Sequence, residues 1–297
     1  MKNELKTFCT EIGIEYTGIA PTGPYSELGK TLEKRFASGH YTEFDESDLA
    51  KRIDPRLTLP DVQSIIVCLF PYYIGNLPDA NISKYTYALD YHKVAMAKLA
   101  HVADYLQARI PDFKYQAYVD TGPLVDRYLA YLAGLGYYGI NSHIITDKYG
   151  SYVFIGYMLT NYPFDPDKPL DLTCIKCGRC MKACPGQIIL GDFNIDPQGC
   201  KSYLTQKKGE LSDEEIGILC KTNLVFGCDV CQDVCPHNHN VEQTKIAEFR
   251  TDIVSKLDYN ELSAMSNKDF SRRYGNHAFS WRGKKILLRN LSGGRHS

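Results

Sequence analysis

The chain has 297 residues, 44% apolar and 23% charged, and its 34 Lys+Arg and 35 Asp+Glu leave a net charge of −1. This length suits about two domains. The composition excludes a disordered chain and a wholly basic nucleic-acid binder, though not a local basic face. No apolar run reaches the roughly 18 residues of a membrane span. Residues Met1–Lys6 carry neither the apolar stretch of a signal peptide nor twin arginines, so a cytoplasmic protein with no membrane partner is expected.

Residues 1–165 read as alternating helices and strands around a central sheet. Gln63–Phe70 is a short apolar run closed by Pro71, the pattern of a buried strand. Ala95, Leu99, Val102, Leu106 and Ile110 share one helical face, and Pro111 stops that helix. Tyr115–Val119 and Ser151–Leu159 are rich in aromatic and β-branched residues and predict two strands. Between them a helix is expected with Pro123 in its first turn and Gly134 or Gly136 at its end. Residues 161–173 hold three prolines and three aspartates and mark a domain boundary. The expected organisation is an α/β domain over 1–165, a cysteine-rich domain over 166–240, and a helical basic tail over 241–297.

Cysteine usage is the outlier. Of 11 cysteines, nine fall between Cys174 and Cys235, and clustered thiols in a reducing compartment point to metal rather than disulfides. Cys174-x2-Cys177-x2-Cys180-x3-Cys184-Pro185 has the spacing of bacterial ferredoxins. Three cysteines at intervals of three wrap one cubane from a tight turn, and the fourth points to the other cluster. A zinc site prefers C-x2-C pairs separated by longer loops. The second run, Cys228-x2-Cys231-x3-Cys235-Pro236, repeats the last three ligands and has Val225 where the first belongs. A remote thiolate must complete it, and spacing leaves Cys200 and Cys220 open. The exchange of fourth ligands groups Cys174, Cys177, Cys180 and Cys235 on one [4Fe-4S] cluster. Cys184, Cys228, Cys231 and the remote thiolate take the other. Cys68 reads as a small core residue, and Cys9 receives no role.

The segments KRIDP (51–55), YVDTGPLVDR (118–127), AGLGYYGIN (133–141), YGSY (149–152), GCKSYLTQ (199–206) and WRGKK (281–285), with both cysteine runs in this order, closely resemble the epoxyqueuosine reductases. The resemblance implies a cobalamin-dependent, two-cluster reductase. Its activity is the last step of queuosine synthesis, removal of the epoxide oxygen from the modified base at the tRNA wobble position. It implies a catalytic domain like that of the reductive dehalogenases and an external electron donor of flavodoxin or ferredoxin type. A monomer is expected. It selects Cys200 as the remote ligand and leaves Cys220 without iron. Asp120 is the implied proton donor; on turn chemistry alone it would cap a helix. Arg52, Asp120, Arg127, Ile144, Ser202 and Asp229 are the implied cobalamin contacts, with the cofactor base-off and no protein ligand beneath cobalt. His92, in Asp90-Tyr91-His92, reads as a surface residue at a helix start rather than a cobalt ligand.

This sequence departs from the family pattern in places. Ile140 stands where a lysine is usual, Ser83 falls near a position that carries cysteine in some members, and the sequence stops at Ser297 without the helical-repeat tail of many members, implying a short form. Basic residues are dense in Gln206-Lys207-Lys208, Arg272-Arg273 and the stretch with Arg282, Lys284, Lys285, Arg289 and Arg295. Gln206, Lys207, Arg282, Lys284, Lys285 and Arg289 are the expected contacts to the tRNA anticodon arm. A splayed-out loop base is expected, because only an unstacked base reaches a buried cobalt. Two competing readings are a small-molecule, dehalogenase-like cobalamin reductase and a ferredoxin-type electron carrier.

Overall fold

The computed structural model of the chain describes residues 1–293. Arg295, one of the expected basic residues, lies outside the described residues. A four-stranded sheet, wholly antiparallel, runs in the order Tyr16–Ala20, Ser64–Pro71, Val153–Thr160, Tyr115–Val119. Tyr115–Val119 has the expected bounds. The other two expected strands are each shifted by one or two residues. The edge strand Tyr16–Ala20, a five-residue segment beginning Tyr-Thr-Gly, was not among the expected elements.

Every residue of Ser64–Pro71 is buried, because this inner strand is covered on both faces. Alternation with period two divides its side chains between two layers. Ile66, Cys68 and Phe70 pack with helices Lys2–Glu11 and Tyr91–Gln107, while Ile65, Val67 and Leu69 pack with helices Ser26–Ala37 and Asp126–Leu132. The result is a helix–sheet–helix sandwich. Asp90 starts Tyr91–Gln107 by accepting the His92 N–H at 3.0 Å, and Val94, Ala95, Leu99, Val102, Ala103 and Leu106 form its buried face. Ile110 is buried just beyond the helix end.

The helix after Tyr115–Val119 starts later than Pro123 suggests. It spans Asp126–Leu132 with Val125 at its cap. Residues 120–125 instead form an irregular loop that drops onto the sheet. Gly122 permits this approach, since a Cβ there would lie 2.0 Å from the Tyr157 hydroxyl. That hydroxyl accepts the Leu124 N–H at 3.2 Å. Asp120 heads the loop at φ +61°, a left-handed conformation that aspartate tolerates better than most residues.

In the cysteine-rich segment two short helices, Arg179–Ala183 and Val230–Asp233, pack together. The tail does not stand apart. Ile246 and Phe249 enter the core above one sheet face. Leu257, Leu262, Phe270, Tyr274, Phe279 and Leu287 form a third core with Ile82, Tyr87, Val225 and Phe226. Residues from all three expected segments therefore share cores. No helix among the described residues is long and apolar enough to cross a membrane.

Candidate active site

One cleft of about 1730 Å³ dominates the molecule. It exceeds the roughly 300–1,000 Å³ of ordinary small-molecule sites. Asp120, His92, Tyr91, Arg52, Arg127, Ile144 and Ser202 all line it, as do Cys184, Cys200, Cys228 and Cys231. Cys174, Cys177, Cys180 and Cys235 line a second, smaller cavity with Ile140 and His237. The eight thiols thus separate into the two sets expected from the exchange of fourth ligands.

The two sets are neighbours. Burial pushes the Cys231 thiol well up, and Cys228, Cys200 and Cys184 of its own set, with Cys180 of the other, push it further. Burial likewise raises Cys228 to about 12. Such crowding opposes ionisation of the free thiols, and iron offsets it because a coordinated thiol is deprotonated outright. Among the described residues no three His, Cys, Asp or Glu side chains converge as the ligands of a single ion do. Four thiols spread around a cavity suit the larger cubane. Cys220 is exposed, with its sulfur 3.7 Å from the Gly293 carbonyl oxygen, and lines neither cavity. Cys68 is buried in the core, and Cys9 lies there beside it. Ile140, 5% exposed, packs on Cys174, Cys180 and Cys184 and gives the second cavity an apolar wall.

Asp120 faces the cleft with 58% of its side chain exposed. The Tyr91 hydroxyl donates to its carboxylate at 2.7 Å, and His92 Nε2 lies 3.5 Å away. Desolvation by the enclosing cleft walls raises the Asp120 pKa, but the hydrogen bonds of His92 and Tyr91 and the charges of His92 and Arg127 outweigh it and hold the carboxyl below its usual range. Burial pushes the His92 imidazole down, and its hydrogen bonds to Asp120 and Asp90 more than reverse this, raising it to about 9. His92 Nδ1 is 2.8 Å from Asp90. His92 is therefore part of the site, not a plain surface residue. The helix register that puts Tyr91 and His92 beside the Asp120 loop is a tertiary feature with no local signal beyond the Asp-Tyr-His run.

Three arginines border the cleft. Arg52 is 3.8 Å from Asp45, and Arg127 donates to the Ser142 carbonyl at 3.2 Å. The buried Nε of Arg52 and of Arg35 have no partner. Arg35 was not expected at the site. Orphaned guanidinium donors in a cleft of this size fit a large anionic cofactor or substrate, and phosphate is their natural partner. Asp229, an expected cobalamin contact, lies behind the cleft surface. It is 2% exposed, does not line the cleft, and accepts hydrogen bonds from the Ser83 hydroxyl and from the Lys84 N–H at 2.8 Å. These bonds tie the Cys228–Cys231 turn to residues 83–84. Ser83 is equally buried.

The expected nucleic-acid residues divide. Gln206 lines the cleft, whereas Lys207 is not among the lining residues and is ion-paired with Glu215 at 2.5 Å. Arg282 is paired with Glu43 at 2.7 Å, and Lys284 donates to the Met265 carbonyl. Lys285 is exposed. Arg289 is only 7% exposed and donates to the carbonyls of Lys207, Gly209 and Leu204. It cannot reach a phosphate, because its donors are spent inside the fold. Arg289→Ala is expected to cost about 2–4 kcal/mol, since it leaves buried carbonyls unpaired. A thermal midpoint lower by several degrees checks this, and an unchanged midpoint refutes it.

A helix–sheet–helix sandwich joined to a segment with two four-thiol sets, opening on one large cleft, defines a redox protein with two iron–sulfur sites beside a large ligand pocket. Residues 173–238 match the "4Fe-4S double cluster binding domain" model, and residues 52–121 match "Epoxyqueuosine reductase QueG, DUF1730". Over 98% of its length the chain is 36% identical to the epoxyqueuosine reductase of Bacillus cereus and 34% identical to that of Staphylococcus aureus, covering 78% of each. The chain belongs to the epoxyqueuosine reductase family.

Solved structures agree. The chain superposes on 80% of an epoxyqueuosine reductase bound to an epoxyqueuosine-modified tRNA-Tyr stem loop, at a TM-score of 0.92, 33% identity and 99% of its own length. It also matches the Bacillus subtilis enzyme, described with an aspartate catalytic loop swung out of the active site, at a TM-score of 0.91, 32% identity and coverage of 99% and 80%. A reductive dehalogenase described for B12-dependent dehalogenation shares the fold at a TM-score of 0.51 and 15% identity, over 97% of this chain and 35% of that one.

Proposed function

We propose that this chain reduces epoxyqueuosine to queuosine at the wobble position of tRNA anticodons, using two [4Fe-4S] clusters and cobalamin. The observation that carries this is one cleft lined both by Asp120 and by the four thiols Cys184, Cys200, Cys228 and Cys231. An electron carrier has no use for such a cleft. Bound in these sites, the clusters and the cobalamin supply two electrons to the epoxide-bearing ring. Conversion of an epoxide to an alkene breaks two carbon–oxygen bonds and releases the oxygen as water, so two protons are needed.

Asp120 delivers protons to the departing oxygen, and His92 refills it. The proton rests on His92, because that imidazole is raised and the Asp120 carboxyl lowered. Tyr91 fixes the carboxylate. Arg52, Arg127, Ile144 and Ser202 hold the cobalamin, with Arg35 added to them. Cobalamin would bind base-off here, because the two histidines lining the cleft are engaged elsewhere: His92 by Asp90 and Asp120, and His143 with its Nε2 3.8 Å from the Cys231 sulfur. Electrons enter from a flavodoxin- or ferredoxin-type donor at the Cys174, Cys177, Cys180 and Cys235 site, where Cys177 and Ile175 are exposed. The chain acts as a monomer, since both thiol sets and Asp120 come from one copy.

The test is anaerobic turnover of epoxyqueuosine-containing tRNA by protein reconstituted with iron, sulfide and cobalamin, with nucleoside mass spectrometry. Loss of one oxygen that depends on cobalamin is expected. No conversion by protein loaded with both clusters and cobalamin overturns the assignment. The proton path has its own signature. Turnover should persist up to about pH 9 and fall above it, as His92 loses its proton. His92→Gln should lower turnover by about 10–100-fold and remove that alkaline limb; an unshifted limb in this variant rules the relay out.

A further inference from the structure

The mouth of the cleft carries an aromatic cluster that no step above uses. Trp281 is 54% exposed and Phe44 45% exposed. Exposed rings of this size, grouped together, mark binding sites more often than inert surface. Their ring centroids lie 5.8 Å apart, and Tyr203 meets Phe44 edge-on at 5.4 Å. The Arg282 guanidinium lies 4.0 Å from the Trp281 ring centroid and 5.1 Å from that of Phe44. Three segments distant in sequence meet here, and the rings line the same cleft as Asp120.

The geometry decides what the cluster offers. The Trp281 indole N–H already donates to Gln206 Oε1 at 3.0 Å, and Gln206 is held in turn by the Ser202 carbonyl at 2.9 Å. The polar edge of the ring is spent and its orientation fixed, so the open π-face remains. Arg282 is turned inward: its side chain is 10% exposed and paired with Glu43 at 2.7 Å, and its Nε is buried. It backs the rings instead of contacting phosphate. Lys208 and Lys285, close in sequence to Gln206 and Trp281, are exposed.

We propose that Trp281, backed by Arg282 and Phe44, is a stacking platform for an unpaired nucleobase flanking the modified nucleotide of the RNA substrate. This rests on the tRNA reading above and adds a subsite to it. A base splayed into the cleft leaves its neighbours without a stacking partner, and a fixed indole at the rim replaces one. Stacking is sequence-tolerant, so the platform does not depend on the identity of the base it receives.

The test is binding of an unmodified anticodon stem-loop RNA, labelled for anisotropy, to the reconstituted holoenzyme across a salt series. Trp281→Ala should weaken binding by roughly 5–150-fold with the salt dependence unchanged, because a stack and not a charge is lost. Trp281→Phe should recover most of the affinity, and Phe44→Leu should give a smaller loss. Trp281 is the only tryptophan, so its emission in the holoenzyme should fall when RNA binds. Wild-type affinity in Trp281→Ala, or tryptophan emission blind to bound RNA, overturns the platform while the RNA substrate stands. Failure of wild-type holoenzyme to bind or convert any tRNA overturns the underlying function instead. If Trp281→Ala loses iron, the emission change and the Phe44→Leu variant decide.

Discussion

Asp120→Asn is expected to cut turnover of epoxyqueuosine tRNA by about 100- to 10,000-fold, with both clusters and cobalamin still bound. The asparagine keeps the size and accepts the Tyr91 hydrogen bond through its amide oxygen, so the loop on Gly122 and Tyr157 has no reason to move. What is lost is the only carboxylate in contact with both Tyr91 and His92 among the described residues. A proton leaving His92 then has no acceptor that can pass it to the departing oxygen. Iron and cobalamin content measured beside turnover separates this from misfolding. Full turnover in Asp120→Asn removes the residue from the proton path.

The second large effect concerns iron. Cys200→Ala should leave reconstituted protein with about four irons in place of eight, lose the second cluster's signal in electron paramagnetic resonance, and abolish turnover. Cys220→Ala should keep about eight irons and full turnover. Cys200 shares the cleft with Cys184, Cys228 and Cys231, whereas Cys220 is exposed and beside Gly293. The opposite outcome, with iron lost from the Cys220 variant, would reassign the fourth ligand. Because Cys184 belongs to the cleft set although it lies in the first motif, Cys184→Ala should also lose the cleft cluster and spare the one held by Cys174, Cys177, Cys180 and Cys235.

Much of the site was legible because its chemistry is local. Intervals of three residues between thiols are set by the chain itself, so the two cysteine runs announce their clusters before any fold is known. The strand Tyr115–Val119 follows from its aromatic and β-branched residues, and the helix beginning at Tyr91 from its capping aspartate, in the same local way. Asp120 rested on a motif, and the sign of its pKa shift was undecidable from sequence: burial and the partners His92 and Tyr91 act in opposite directions, and only their placement settles the balance.

The sequence by itself determined the two four-thiol sets up to one ligand, the central buried strand, the Asp120 motif and the family. The tertiary structure decided the rest. Packing of the tail against residues 81–87 and 225–226 buried Arg289 and removed it from the basic surface. It also set Trp281 beside Phe44, put Cys200 and not Cys220 in the cleft, and turned Asp229 inward. The physical reason is the range of the forces. Capping, turn geometry and ligand spacing act within a few residues and leave a pattern in the chain. The burial of a charge and the meeting of distant side chains depend on how whole layers close over one another, and charge density along a sequence does not record it.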